Sequence, residues 1–242
     1  IGSNLVDSLI QRGCDVIIID NLSTGKLENI NNKAKFIEND LSSVNLDHLI
    51  SILEGVDVVF HLAALARVQP SIDDPMPYNA ANVTATLNIL FAANKAGVKR
   101  LVYSASSSCY GDAIKMPQLE TDAINPLSPY GLQKYIGELY CRLFSQIYTL
   151  DTVALRYFNV YGERMSLEGA YKLVIPIFAK QMLENKPLTI NNDGEQRRDF
   201  TYVGDVVDAN ILAGTNTDDL KGESFNIGNG DNYSVNELAD MF

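Results

Sequence analysis

Apolar and polar positions along the chain alternate between helical and strand-like rhythms. Leu5, Val6, Leu9 and Ile10 recur at helical spacing, and Gly13 closes that stripe. Residues 15–20, DVIIID, form a nearly unbroken apolar run of strand length, as expected for a strand covered on both faces. A polar, turn-rich stretch occupies 21–32, followed by a short strand at 35–38 and a helix around 46–53. Residues 56–62, VDVVFHL, predict the next buried strand, and a helical pattern runs from Pro77 to Gly97. A strand at 100–104 leads into a serine run, a helix is expected within 126–148, and a further strand at 152–157. In that helix Ile136, Leu139, Tyr140, Leu143 and Ile147 share one stripe, which predicts that this face is buried.

Strands separated by helices imply right-handed βαβ crossovers, so the fold class is α/β with a doubly wound parallel sheet. Such sheets bind ligands at the carboxyl ends of their strands. Asp20, Asp40, His61, Ser106 and Asn159 each end or just follow a predicted strand, which gathers them at that edge. From Glu163 the rhythm changes: a helix at 175–183, short strands at 188–190, 200–203 and 225–227, and a turn at Asn192-Asp193-Gly194. Ser234-Val235-Asn236-Glu237 reads as a capping box that opens a last helix. The chain starts at Ile1 inside a helical pattern and stops within a helix at Phe242, so further residues are expected at both ends.

Composition narrows the function. A net charge of −11 argues against nonspecific nucleic-acid binding, which needs a basic surface. Hydrophobic content is an ordinary 46%, and no apolar run nears the ~20 residues of a membrane helix. Cys14, Cys109 and Cys141 show no metal-ligand spacing, and reduced thiols in a cytoplasmic protein account for them. His61, following an apolar strand, is read as a packed structural histidine.

The chemistry concentrates in Ser128-Pro129-Tyr130-Gly131-Leu132-Gln133-Lys134, downstream of Ser104-Ala105-Ser106-Ser107-Ser108. A lysine ammonium one helical turn from a tyrosine would stabilise its phenolate and lower a pKa that is ordinarily near ~10. A serine hydroxyl beside them could orient the proton of a substrate alcohol. Chance alone yields roughly 0.5 such tyrosine–lysine pairs in a chain of this composition, so the spacing needs context. Asp20, ending the first strand, suits the ribose hydroxyls of a dinucleotide and disfavours a 2′-phosphate; a turn aspartate is the plain alternative. Gly2 lies 18 residues before it, where the last glycine of a dinucleotide fingerprint belongs.

Segments spanning nearly the whole chain resemble the extended short-chain dehydrogenases/reductases, specifically the nucleotide-sugar 4-epimerases of the NAD-dependent epimerase/dehydratase family. They are DNLSTGK (20–26), NDL (39–41), HLAA (61–64), NAANVTATLNIL (79–90), SASSSCYGD (104–112), PLSPYGLQK (126–134), LRYFNVYG (155–162), GEQRRDFTYVGDVVDA (194–209) and FNIGNG (225–230). The serine-rich segment, the PLSPY approach and GAYKLVIP (169–176) look closest to UDP-N-acetylglucosamine 4-epimerases. Related 4,6-dehydratases carry an acid pair where this chain has Ser107 and Ser108, so the resemblance implies epimerisation rather than water loss.

The resemblance implies NAD as cofactor and a UDP-sugar as substrate, epimerised through a transient 4-keto intermediate. It implies a Rossmann-type NAD-binding domain over 1–162 that lacks its N-terminal strand and first glycines, with 200–227 returning to it, and a smaller, C-terminally incomplete substrate-binding part from 163–199 and 228–242. Tyr130 would be the base, Lys134 the nicotinamide-ribose ligand, and Ser106 the contact to the sugar hydroxyl. Ile1, Gly2, Asp20, Asn21, Ser23, Thr24, Gly25, Asp40, Leu41, Leu62, Ala63, Ala64, Asn82 and Phe158 would surround the cofactor. Asn159, Val174, Thr189, Asn191 and Arg198 would hold the UDP-sugar, with Arg198 pairing with the diphosphate. Arg67 departs from the small residue many relatives carry near the sugar. A homodimer through a helix bundle formed by 77–97 and 129–148 is also implied. Epimerisation of UDP-glucose/galactose or UDP-glucuronate is an alternative, as is a catalytically silent NAD- or nucleotide-sugar-binding module.

Overall fold

The computed structural model describes residues 1–112, 115–165 and 173–242. The first four residues of the GAYKLVIP segment lie outside the described residues.

Helix α1 (Gly2–Gln11) buries Leu5, and Gly13 turns the chain with φ +83° into β1 (Ile17–Asp20). β2 (Lys35–Glu38) runs parallel to β1, with Asp20 opposite Glu38. Helix α2 (Leu46–Leu53) begins at Asn45, whose side chain accepts the His48 N–H, and leads to β3 (Val58–His61). The long helical pattern resolves into three pieces after a short α3 (Val68–Asp73): α4 (Pro75–Asn79), a π turn (Ala80–Thr84) and α5 (Ala85–Ala96). Gly97, at φ +75°, ends α5. Strand β4 (Arg100–Ser106) is buried throughout and extends through the first serines, two residues beyond the predicted end.

Helix α6 (Pro129–Ile147) leads to β5 (Asp151–Tyr157) and β6 (Asn159–Tyr161). Beyond it come α7 (Val174–Leu183), β7 (Arg197–Arg198), β8 (Phe200–Tyr202) and α8 (Val203–Thr215). The described chain ends with β9 (Glu223–Ile227), β10 (Tyr233–Ser234) and α9 (Val235–Asp240), the last opened by the predicted capping box.

Strands β3, β4, β5 and β9 form one all-parallel sheet in the order β3-β4-β5-β9. Helices cover both faces, as a parallel sheet requires. Leu49, Leu90, Phe144 and their neighbours on α2, α5 and α6 pack on one side. Val206 and Ala213 of α8 pack on the other, where Val207 and Ile211 meet Leu5 of α1. A smaller core joins Phe178 of α7 to Val235 and Leu238 of α9.

Three expectations change. The apolar stripe of α6 faces outward: Leu139, Leu143 and Ile147 are exposed, while Gly131, Gln133, Lys134, Gly137, Glu138, Cys141 and Phe144 form the buried face. Small residues and paired polar groups let this helix lie close to the sheet, so burial does not follow its hydrophobicity. Residues 188–190 form no strand, and the Thr189 amide donates to the Gln181 side chain. The short pairing there is instead β7 with β10, antiparallel. Helix α8 was not anticipated, although Val203, Val206, Val207, Asn210, Ile211 and Gly214 recur at helical spacing on its buried side.

Candidate active site

The site is built where α6 begins, beside the carboxyl end of β4. Ser128 caps α6, its Oγ accepting the Gly131 N–H at 3.1 Å, and Pro129 takes the first turn, where no amide bond is forfeited. Tyr130 follows, and its own amide donates to Ser71 Oγ of α3 at 3.1 Å. Two glycines allow the close approach. A Cβ on Gly131 would stand 2.6 Å from the Ser108 carbonyl oxygen, and one on Gly137 would stand 2.2 Å from the Tyr103 hydroxyl. Ser106 ends β4 and caps the turn that follows, accepting the Ser108 N–H at 3.2 Å and donating to Ser108 Oγ at 3.1 Å. Ser106 thus stands beside the first turn of α6, where it favours the Tyr130 phenolate.

Burial raises the Tyr130 pKa above its ordinary value; Ser106 and the positive charge of Arg67 oppose that rise, while Tyr78 adds to it. Lys134 behaves differently from expectation. Its buried ammonium turns toward β4, donates to the Ser104 carbonyl at 2.7 Å and sits 5.1 Å above the Tyr103 ring. Burial lowers its pKa to about 8, against the opposing effects of Cys141 and Glu138.

Glu138 lies four residues beyond Lys134 and is clamped by Arg156, with Nε to Oε1 at 3.0 Å and Nη2 to Oε2 at 2.7 Å. Ser224 donates to the same carboxylate at 3.1 Å. Arg156 also donates to the Tyr110 hydroxyl at 2.6 Å, and Tyr110 donates to Asn226 at 2.7 Å. The network ties α6 to β5, to β9 and to the segment after β4. His61, as predicted, is a packed residue: it is buried against Thr86 Oγ1 at 2.9 Å, and burial lowers its pKa to about 3.

A second cluster lies at the ends of β1 and β2. Asp20 Oδ1 accepts the Leu22 N–H at 2.7 Å, and Asn21 donates to Asp40 at 3.0 Å. Ser42 and Asn21 hold the Asp40 carboxyl below its ordinary pKa. Ser23, Thr24 and Gly25 continue as an exposed loop, and a Cβ on Gly25 would come within 3.3 Å of Asp20 Oδ1. Ile1 and Gly2 stand at the start of α1.

Asn82 sits in the π turn, nearly fully buried. It accepts the Leu65 N–H at 2.9 Å, donates to the Leu65 carbonyl at 3.1 Å, and donates to Gln133 at 3.1 Å. It therefore fixes the loop carrying Leu62, Ala63 and Ala64 against α6. Leu62 also packs with Leu5, and Leu41 is buried in the main core with its carbonyl accepting from Asn88.

The remaining candidates surround the β6–β8 pair. Phe158 donates its amide to Ile227, and Asn159 donates to the Asp199 carbonyl through both its amide and side chain. Arg198 is exposed on β7. The ion pair of this region belongs to Arg197, which reaches Glu237 at 2.7 Å, while the Asp199 carboxylate receives the N–H groups of Asn229 and Gly230. Val174 opens α7, Thr189 is bound by Gln181 at 2.7 Å, and Asn191 is exposed. Sequence reasoning missed Ser71, Gln133, Ser104 and the Glu138–Arg156 pair. Glu138 carried a signal, standing one further turn along the Tyr130–Lys134 spacing.

Comparison with known proteins places this geometry. Residues 1–228 match the family described as the NAD dependent epimerase/dehydratase family. A putative UDP-glucose 4-epimerase of Methanocaldococcus jannaschii is 45% identical over all of this chain and 77% of its own length. A UDP-N-acetylglucosamine 4-epimerase of Methanobrevibacter ruminantium, solved with UDP-N-acetylmuramic acid, superposes with a TM-score of 0.93 at 40% identity, covering 99% of this chain and 76% of that one. The UDP-glucose 4-epimerase of Thermotoga maritima, solved with UDP-glucose, gives 0.92 at 40% identity, covering 99% and 77%. These three relatives are all named as UDP-sugar 4-epimerases, and the chain belongs to the NAD dependent epimerase/dehydratase family.

Proposed function

We propose that the protein is an NAD-dependent UDP-sugar 4-epimerase, with UDP-N-acetylglucosamine and UDP-N-acetylgalactosamine as the interconverted pair. The observation that carries this reading is the placement of Tyr130 and buried Lys134 one turn apart at the start of α6, beside Ser106 at the carboxyl end of β4.

The residues present fit the cofactor. The first turn of α1 carries no acid to repel a pyrophosphate, Asp20 ends β1 where ribose hydroxyls would bind, and Gly25 admits the loop to contact with that carboxylate. When bound, NAD supplies a hydride acceptor for C4 of the sugar and later the hydride donor. Tyr130 takes the proton of the sugar 4-hydroxyl, with Ser106 orienting that hydroxyl, and returns a proton after the sugar has turned over. Lys134, with a pKa of about 8, remains mainly protonated at neutral pH and offers its ammonium to the nicotinamide ribose. Asn82 holds the Leu62–Ala64 wall through Leu65. On the substrate side Arg198 binds the diphosphate, with Asn159, Val174, Thr189 and Asn191 around the UDP.

The test is turnover of UDP-N-acetylglucosamine by the protein supplied with NAD. The Tyr130→Phe variant should lose activity by ~100-fold or more. Normal turnover in that variant refutes the proposal. A second reading, UDP-glucose/galactose interconversion, draws on the 45% identity to the Methanocaldococcus relative. Comparing rates across UDP-N-acetylglucosamine, UDP-glucose and UDP-glucuronate decides between them.

The outward stripe of α6 supports a homodimer. Leu132, Leu139, Leu143 and Ile147 are exposed beside Leu87 and Phe91 of α5, and we assign this surface to a helix bundle between two copies.

A further inference from the structure

We propose that Tyr103 is a positioning residue for Lys134: its aromatic face, with the adjoining Ser104 carbonyl, holds the lysine ammonium in place and in its charged form. The proposal rests on Lys134 serving the nicotinamide ribose in the function above.

Three contacts join α6 to these two consecutive residues of β4. The Lys134 ammonium stands over the Tyr103 ring, 5.1 Å from its centroid. The same ammonium donates to the Ser104 carbonyl at 2.7 Å. The Tyr103 hydroxyl donates to the Lys134 carbonyl at 3.3 Å, so ring and helix backbone are held together. Gly137 makes this approach possible, since a Cβ there would stand 2.3 Å from the ring carbon that bears the hydroxyl. Tyr103 is fully buried and Lys134 nearly so, with 4% of its surface exposed. The ammonium has therefore lost most of its water, and one carbonyl satisfies only one of its three donors. The negative face of an aromatic ring offsets part of that loss, and more strongly where water is excluded.

The other groups around the ammonium leave this task to the ring. Glu138, one turn later on α6, favours the charge, but its carboxylate is held by Arg156 at 2.7 Å and by Ser224 at 3.1 Å. Cys141 on the same helix is kept a thiol by burial, which raises its pKa. His61 of β3 lies on Tyr103 with ring centroids 5.8 Å apart, and burial keeps it neutral down to about pH 3. Burial also keeps the Tyr103 hydroxyl protonated, so the ring acts through its face and not as a phenolate. Lys134 itself is drawn down to about 8 by burial, so a small change at the ring decides whether its charge survives at neutral pH.

The test varies the ring and reads the lysine. Tyr103→Phe keeps the face and loses the hydroxyl; phenylalanines carrying one, two and three ring fluorines at position 103 drain the face at nearly constant shape. The protein is labelled with ¹³C at lysine Cε, and the Lys134 resonance is assigned by its loss in Lys134→Arg. Tyr103→Phe should leave the Lys134 titration close to that of the unsubstituted protein. Each added fluorine should move it to lower pH, by roughly one pH unit across the series. The alkaline limb of the epimerisation pH profile should move the same way. Should loss of the hydroxyl prevent folding by circular dichroism, a ring fluorine on the tyrosine at 103 is read for the same downward shift. A Lys134 titration independent of fluorine number in folded protein overturns the proposal. So does a full shift in Tyr103→Phe alone, which would assign the effect to the hydroxyl. If the unsubstituted protein epimerises no UDP-sugar, the proposed function fails, while the titration still decides the role of Tyr103.

Discussion

His61 shows how one buried side chain ties stability to pH. Thr86 donates its hydroxyl proton to the Asn82 carbonyl at 2.7 Å, so His61 Nε2 must be the donor in the 2.9 Å contact with Thr86 Oγ1. Burial lowers its pKa from 6.5 to about 3, so the ring is neutral at neutral pH. As pH falls below 6.5 the unfolded chain gains a proton that the folded protein refuses until about pH 3. Its contribution is full above the upper value and declines through that window, by on the order of 1.4 kcal/mol per pH unit. His61→Gln, which retains a donor, should flatten this dependence in urea unfolding followed from neutral to acidic pH. An identical acid slope in both proteins would dismiss the account. At the same scale, Tyr130, Lys134 and Ser106 were legible in the sequence because local spacing and strand-end placement mark them. Ser71 and Gln133 were not, since their partners lie 59 and 51 positions away.

Among the elements, α6 departs most instructively from its own pattern. Its hydrophobic stripe was legible, but the direction of that stripe was not. Periodicity identifies a face without saying what covers it. The buried face is held by Gly131 and Gly137, which permit contact, and by Lys134 and Glu138, which find polar partners at β4 and β5. The opposite stripe is then available to a second copy. We expect Leu143→Glu to convert a dimer into a monomer in sedimentation velocity, because it places a charge within an apolar interface. A monomeric unsubstituted protein at the same concentration would eliminate the bundle. The parallel strands were readable as apolar runs bounded by turns. The β7–β10 pairing was not, because two-residue strands leave no periodic trace. Helix α8 carried a usable pattern, obscured by the glycines at 204 and 214.

For the molecule as a whole, the parallel sheet and its two helical layers followed from the order of elements, while the ties across its ends did not. At the amino ends of the strands, buried Arg100 joins Asp151 at 2.7 Å, the Ala213 carbonyl at 3.0 Å and the Asp218 carbonyl at 2.6 Å. Nearer the carboxyl ends, the Glu138–Arg156 pair fastens α6 to the same sheet. Strand β4 lies against β5, which carries a partner in each tie, and is itself paired on both edges and buried along all seven residues. Its amides should therefore exchange with deuterated solvent only when the whole molecule opens. Those of the exposed loop at 21–26 should exchange through local excursions at far lower free energy. Mass-resolved exchange would show this as two well-separated time regimes, and comparable rates in both segments would contradict it. The tied pair β4 and β5 thus separates the free energy of admitting a ligand from that of losing the fold: the loops at the rim can breathe while the floor beneath Ser106 stays closed.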